Sequence, residues 1–254
     1  MEPQPEKPPV EKPYRRVPIE ECGEPMAPIP LGRFAFTDPH PYVAAGAPYK
    51  GRSPWFLRKS VLAALENAQT KLDSLRPGWK IKLHDAFRPN EVQAYMVELE
   101  YKLVAKREGL DPENLTPEIR EKLAPAVYRI WAIPSTDPQT PPLHSTGAAF
   151  DCTIQNENGN ALFMGSPIDE NSPRSNPDHY ANDPMPEGRM AHENRMFLIN
   201  LMKAEGFCHH PEEWWHFSIG DQLWAWLERQ KHGTDAVRAV YGSAEELLKN
   251  APNL

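Results

Sequence analysis

Proline is the residue that most limits how this chain can fold. The sequence has 29 prolines among 254 residues, roughly twice the usual share, and each one fixes a backbone dihedral angle and removes a hydrogen-bond donor. Nine of them lie in the first thirty residues, interleaved with Glu and Lys. We therefore expect residues 1–30 to form an extended, Pro-rich arm that buries no core, and residues 31–254 to form a single domain.

The composition argues against several classes of protein. The formal charge is −7, so there is no basic excess of the kind that binds nucleic acid. The mean hydropathy is −0.64, and no stretch approaches the ~18 consecutive apolar residues of a membrane span. Three dispersed cysteines and the lack of an apolar leader predict a cytoplasmic protein without a disulfide framework. We expect neither a nucleic-acid nor a membrane partner, and the oligomeric state stays open.

Hydrophobic periodicity between the prolines predicts both helices and strands. Helical spacing predicts helices over residues 57–75, 91–108, 116–130, 192–204, 221–231 and 243–250. Alternation of apolar and polar residues predicts strands over residues 79–87, 149–154 and 214–219. The segments do not follow the regular strand-helix-strand rhythm of a parallel sheet. The sequence therefore predicts an α+β fold in which helices flank a small, mostly antiparallel sheet.

The first segment that could contribute to a catalytic or metal site contains His144 and Asp151. Gly147 permits a turn between them, and Asp151 stands in an otherwise apolar strand. A carboxylate at such a position is costly unless a cation meets it. Both a metal ion shared with His144 and an ion pair with lysine or arginine satisfy that requirement, so the two interpretations stay open.

The second segment contains Glu213 and His216 among large aromatic residues. Taken alone, His216 is either a buried core residue or a metal ligand. Taken with His144 and Asp151, it completes a set of three ligands, and catalytic zinc sites keep three protein ligands with a fourth position for water. Glu213 is then a candidate general base.

The third segment ends a predicted strand with Arg88, followed by Pro89. A guanidinium held at the end of a rigid strand can stabilise the oxyanion that forms when water attacks a carbonyl. An ordinary surface ion pair explains Arg88 equally well, so this alternative also stays open.

Together the three segments resemble the VanX-type D-alanyl-D-alanine dipeptidases of the zinc D,D-peptidase family, peptidase M15. The shared motifs are His-x-x-Gly-x-Ala-x-Asp at residues 144–151, Glu-Trp-Trp-His at residues 213–216, and Arg-Pro at residues 88–89. The similarity extends in the same order over about residues 42–219. It implies the hedgehog/D,D-peptidase-like zinc fold, with residues 31–254 as the catalytic domain.

The resemblance also implies a role for individual residues. It implies one Zn2+ bound by His144, Asp151 and His216. Glu213 is then the catalytic base and Arg88 stabilises the transition state. Asp169 matches the carboxylate that meets the free amino group of a small D,D-dipeptide, which restricts the length of the substrate.

The chain departs from the family pattern at Pro142, where the family commonly has a serine that contacts substrate. Proline has no hydroxyl and no backbone donor, so we expect the substrate to be anchored differently on that side. The stretch of residues 100–139 is also longer than its usual counterpart. The predicted activity is hydrolysis of D-alanyl-D-alanine or close D,D-dipeptides. Two alternatives are a D,D-carboxypeptidase acting on peptidoglycan stem peptides, which Asp169 opposes, and a non-catalytic zinc-stabilised binding module, which Glu213 opposes.

Overall fold

A five-stranded mixed sheet lies at the centre of the computed structural model, which describes residue 10 and residues 12–248. The strands are β1 (Met26–Pro28), β2 (Ala35–Phe36), β3 (Phe56–Arg58), β4 (Lys80–Asp85), β5 (Ala149–Gln155), β6 (Cys208–His209) and β7 (His216–Ser218). The helices are α1 (Pro41–Ala44), α2 (Lys59–Leu75), α3 (Asn90–Arg107), α4 (Pro117–Val127), α5 (Pro186–Lys203) and α6 (Gln222–His232). The predicted α+β class is confirmed.

The order of strands in the central sheet is β2-β4-β5-β7-β6. Only β2 and β4 run parallel, and the other three pairs are antiparallel, as is the separate pair of β1 and β3. The prediction of a small, mostly antiparallel sheet is therefore confirmed. The pairing of β5 with β7 sets Asp151 directly opposite His216.

The long helices form two hydrophobic clusters. In the first, α2 and α5 pack on the sheet through residues spaced by three or four positions, such as Val61, Leu65, Ala68 and Leu72 of α2. In the second, α3 and α4 pack against each other and against Trp131, so the long stretch of residues 100–139 shares a core with residues 42–49 and 92–97. No helix in the described residues has the length and apolar character needed to cross a bilayer.

The boundaries of several predicted elements differ from the structure. The helix predicted from residue 57 begins at Lys59, because residues 57–58 belong to β3. Helix α5 begins at Pro186, six residues before the predicted start, because proline is compatible with the first turn of a helix. The strand predicted over residues 214–219 is shorter, since the backbone N–H of Trp214 donates to the carbonyl of Ser175, outside the sheet. The last predicted helix is a 3-10 turn at Glu246–Leu248, and its end lies outside the described residues.

The expectation that the Pro-rich arm buries no core is wrong for residues 12–30. Tyr14, Val17 and Ile29 are buried, and β1 pairs with β3. The side chain of Gln222 donates to the carbonyl oxygens of Arg15 and Val17. These bonds satisfy backbone carbonyls of the arm that have no partner in a helix or sheet. Residues 1–9 and 11 lie outside the described residues, and the domain boundary at residue 30 stays a prediction.

Candidate active site

Three elements bring His144, Asp151 and His216 together. Asp151 lies on β5, His216 lies on β7, and His144 lies in the 3-10 turn Leu143–Thr146 just before β5. The Nδ1 atom of His216 is 3.1 Å from a carboxylate oxygen of Asp151 and 3.1 Å from Nε2 of His144. Nε2 of His144 is 3.4 Å from the other oxygen of Asp151. All three side chains are buried.

These separations fit a metal ion. Ligand atoms placed tetrahedrally about 2.0–2.1 Å from one ion are roughly 3.3 Å apart. His144 has Nδ1 2.8 Å from the carbonyl of Ala86, so Nδ1 is the protonated nitrogen and the lone pair of Nε2 faces the cluster. The outer nitrogen of His216, Nε2, is buried without a hydrogen-bond partner among the described residues. The cluster can therefore hold a metal ion through two imidazoles and one carboxylate.

Glu213 lies beside this cluster and is almost fully buried, with 6% of its surface exposed. One carboxylate oxygen is 3.9 Å from Nδ1 of His216, and the other is 3.6 Å from Nδ1 of His210. Burial and the negative charge of Asp151 raise the pKa of Glu213. A buried carboxyl group beside a metal-ligand cluster is suited to general acid-base catalysis.

Arg88 follows β4 and is buried rather than paired at the surface. Its guanidinium donates to Asp85 at 2.9 Å, to the side-chain oxygen of Gln93 at 2.8 Å and to the Tyr42 hydroxyl at 3.0 Å. It also lies 3.5 Å from Asp151. The surface ion-pair interpretation of Arg88 is therefore wrong, because its charge is held inside the site.

Asp169 lies on the other side of the Tyr42 hydroxyl, which donates to it at 2.9 Å. Nε2 of His84 is 3.5 Å from the same carboxylate oxygen. The backbone of Asp169 has φ = 64°, a conformation that non-glycine residues adopt uncommonly. One pocket is lined by all six predicted site residues, namely Arg88, His144, Asp151, Asp169, Glu213 and His216.

Several residues of the site were not predicted from the sequence. Asp85 and Tyr42 hold Arg88, and Lys12 and Trp131 line the same pocket. The alternation in β4 directs Asp85 to the buried face together with Ile81 and Leu83, so this carboxylate could have been recognised as a buried charge. Nothing in the sequence near Lys12 indicates that the Pro-rich arm reaches the site.

A mixed sheet that carries a buried His-Asp-His cluster, with a buried glutamate beside it, is typical of a metal-dependent hydrolase. Comparison with known proteins identifies the family. The sequence matches the D-Ala-D-Ala dipeptidase family of peptidase M15 over residues 35–235. The chain therefore belongs to this family of metallopeptidases.

Curated bacterial relatives carry the name D-alanyl-D-alanine dipeptidase. The protein of Synechocystis sp. is 45% identical over 240 residues, which cover 92% of this chain and 97% of the relative. The protein of Enterococcus faecalis is 30% identical over 65% of this chain and 73% of the relative. The protein of Escherichia coli is 40% identical over a shorter region, 30% of this chain and 37% of the relative.

Proposed function

We propose that this protein is a zinc-dependent dipeptidase that hydrolyses D-alanyl-D-alanine, or close D,D-dipeptides, to free D-amino acids. The observation that carries the proposal is that one pocket is lined by the metal-ligand cluster together with Glu213, Arg88 and Asp169. Membership of the dipeptidase family and the curated name of the Synechocystis sp. relative support the choice of substrate.

His144, Asp151 and His216 would hold the zinc ion. Two imidazoles and one carboxylate are ligands that zinc accepts, and three protein ligands leave a position for water or substrate. When bound, zinc polarises the scissile carbonyl and lowers the pKa of a water molecule. The carbonyl of Ala86 fixes the tautomer of His144, which keeps the ligand nitrogen deprotonated.

Glu213 transfers protons during the reaction, and Arg88 stabilises the charge that develops on the substrate. Glu213 accepts a proton from the attacking water and later donates it to the leaving amine. Arg88 donates hydrogen bonds to the oxyanion that forms at the scissile carbonyl. Asp85 and Gln93 hold the guanidinium in place before the substrate arrives, so Arg88 does not have to be ordered during the reaction.

Asp169 is the residue that restricts the substrate to a dipeptide. Its carboxylate would bind the free amino group, and a longer peptide has no amino group at that distance from the scissile bond. This supports a dipeptidase over a D,D-carboxypeptidase, which must leave that end of the site open. The buried Glu213 likewise supports an enzyme over a zinc-stabilised binding module.

The test is to compare turnover of three substrates by the zinc-loaded protein. We expect rapid hydrolysis of D-alanyl-D-alanine, little hydrolysis of the L,L-dipeptide and little of an N-acylated tripeptide that ends in D-alanyl-D-alanine. Faster turnover of the acylated tripeptide would identify a carboxypeptidase. Release of no D-alanine by folded, zinc-loaded protein would refute the proposal.

The Glu213→Ala variant tests the base. We expect it to keep its zinc and to lose turnover by about 100-fold or more, because general acid-base catalysis contributes 10²–10⁴-fold. The matched control is Glu212→Ala, which removes the exposed neighbouring carboxylate. Equal activity of the two variants would reject Glu213 as the base.

The proposal includes a reducing, cytoplasmic compartment. Cys152 and Cys208 are buried thiols without a disulfide, and Cys22 is exposed and free. Burial raises the pKa of the Cys152 thiol, which keeps it protonated and unreactive. Such a set of thiols suits a compartment in which cysteines stay reduced.

A further inference from the structure

A dipeptide substrate presents two charges, an ammonium at one end and a carboxylate at the other. Asp169 provides a partner for the ammonium, as the proposed function holds. The carboxylate needs its own donor, since an unpaired charge in a closed pocket is costly. Pro142 offers neither a hydroxyl nor a backbone N–H, so it is not that donor.

Two cationic side chains of lysine or arginine line the pocket among the described residues, Arg88 and Lys12. Arg88 is the proposed donor to the oxyanion, and Asp85, Gln93 and Tyr42 hold its guanidinium for that role, so the terminal carboxylate needs a second cation. The ammonium of Lys12 makes one hydrogen bond, to the carbonyl oxygen of Arg129 at 3.4 Å. No carboxylate in the described part of the chain forms an ion pair with it. At longer range its charge interacts with those of Glu213 and Glu212, which offset part of the lowering of its pKa by burial, so Lys12 is available to a substrate carboxylate.

The arm that carries Lys12 is fixed on the Pro142 side of the pocket. Tyr14 packs in one cluster with Leu143, the residue that follows Pro142. The side chain of Gln222 donates to the carbonyl oxygens of Arg15 and Gln139 and thereby ties the arm to the chain that leads into Pro142.

Asp169 contacts different residues of the pocket. Its carboxylate accepts from Tyr42 and lies near His84, whereas Lys12 contacts the backbone of Arg129. The pocket therefore contains one basic and one acidic side chain with different partners, and the metal-ligand cluster and Glu213 line the same space. A zwitterion is complementary to this arrangement.

We propose that Lys12, from the Pro-rich arm, binds the terminal carboxylate of the dipeptide and so determines specificity for a substrate with a free carboxyl end. This inference rests on the proposed function and adds to it the residue that binds the carboxylate end of the substrate. The arm is then part of the substrate-binding site.

The test compares three variants on two substrates, D-alanyl-D-alanine and its C-terminal amide. In Lys12→Met we expect KM for the free dipeptide to rise roughly ten- to hundredfold, the range that loss of one charged hydrogen bond produces, with kcat nearly unchanged. Turnover of the amide should be the same as in the wild type. Lys12→Arg should keep most of the affinity, and Lys122→Met, which removes an exposed lysine, should behave as the wild type.

Two results would overturn the inference. Equal losses on the acid and the amide would show that Lys12 does not bind the carboxylate. A fall in kcat with a shifted pH profile and unchanged KM would show instead that Lys12 acts on Glu213. Thermal unfolding of each variant verifies that it is folded.

A binding measurement separates this inference from the proposed function. Calorimetric titration of the zinc-loaded protein with a non-hydrolysable phosphinate analogue of the dipeptide, with and without its terminal carboxylate, requires no turnover. A preference for the carboxylate form that Lys12→Met abolishes supports the inference, and the same preference in both proteins refutes it. Failure of the wild type to hydrolyse D-alanyl-D-alanine would refute the proposed function alone.

Discussion

Asp85 connects two parts of the candidate site through one buried carboxylate. One oxygen accepts from Arg88 at 2.9 Å and lies 3.2 Å from Nδ1 of His144. The other oxygen is 3.0 Å from Nε2 of His40. Burial alone would raise the pKa of Asp85, but the charge of Arg88 and the hydrogen bond from His40 hold it well below its usual range. The carboxylate is therefore ionised and lies between Arg88 and the proposed metal ligand His144.

The Asp85→Asn variant should lose both metal affinity and stability. We expect zinc affinity to fall about 10–100-fold, as is typical when a partner of a metal ligand is removed. The free energy of unfolding should fall by about 3 kcal/mol, because Arg88 would stay buried without its counter-charge. Competitive zinc titration and urea unfolding measure the two effects.

The matched control is Asp73→Asn, in the partly exposed ion pair of Asp73 with Arg33. An exposed pair contributes at most about 1 kcal/mol, so this variant should bind zinc normally and lose little stability. Equal effects of the two substitutions would contradict the role given to Asp85.

His209 on β6 should make the fold sensitive to mild acid. Burial, with a smaller effect of the Lys203 charge, lowers the pKa of His209 to about 3. The unfolded chain, with a pKa of about 6.5, then binds more protons than the folded chain between pH 6.5 and 3. Stability is lost as the pH falls through that range.

Between pH 7.5 and pH 5 this effect should cost the wild type about 1 to 2 kcal/mol. The His209→Asn variant should lose that much less over the same range. Urea unfolding at the two pH values measures the difference. An identical pH dependence in both proteins would show that another group is responsible.

At the level of elements, the turn between the 3-10 helix and β5 sets the distance from His144 to Asp151. Gly147 ends that helix with φ = 70°, and a Cβ there would lie 2.4 Å from the side chain of Met26 on β1. Gly109 has nearly the same φ, 71°, but open space around it. An alanine at either position would therefore be strained by the positive φ, and only at Gly147 would its Cβ also clash with a neighbouring side chain.

We expect Gly147→Ala to be destabilising by about 1 kcal/mol more than Gly109→Ala, which carries the backbone cost alone. Because the end of the Met26 side chain then presses on the turn that carries His144, Gly147→Ala should also weaken zinc binding, whereas Gly109→Ala should not. Urea unfolding and zinc titration of both variants provide the comparison. Equal stability and equal zinc affinity of the two variants would refute this account.

Periodicity predicted the long elements because each carries its own burial pattern. Helices α2, α3, α4 and α6 and strands β4 and β5 have enough residues to display that pattern. Strands β1, β2, β3 and β6 were missed because each has only two or three residues. Their pairing depends on partners far away in the sequence, which local pattern does not reveal.

The site was predictable to the extent that its residues lie in recognisable motifs. The six predicted residues line one pocket, and the roles given to them stay predictions. Lys12 and Tyr42 were missed because neither belongs to a motif and their contacts with the site join distant parts of the chain. Asp85 was adjacent to a motif, but the sequence does not show which carboxylate a buried arginine contacts.

At the scale of the whole molecule, metal binding should stabilise the fold. The three ligands come from three elements, so an ion held by them binds the folded state only. With free zinc at about 100 times Kd the folded state gains about 2.7 kcal/mol, which raises Tm by about 5 to 10 °C for a chain of this size. Thermal unfolding with zinc and with a chelator measures this shift.

The His216→Ala variant should show no such shift, since it lacks one of three ligands. Chelation should also remove the activity of the wild type, and added zinc should restore it. A rise in Tm of the same size in His216→Ala would place the stabilising ion elsewhere.

The cross-strand pair of Asp151 and His216 has one more consequence, for the folding process. Neighbouring side chains of a strand point to opposite faces, so a slip of β7 by one residue would present Phe217 to Asp151 in place of the imidazole. Only a chain with correctly aligned strands can capture the ion. Uptake of a coloured ion such as Co2+ during refolding would therefore report, in real time, the moment at which the two strands reach their final alignment.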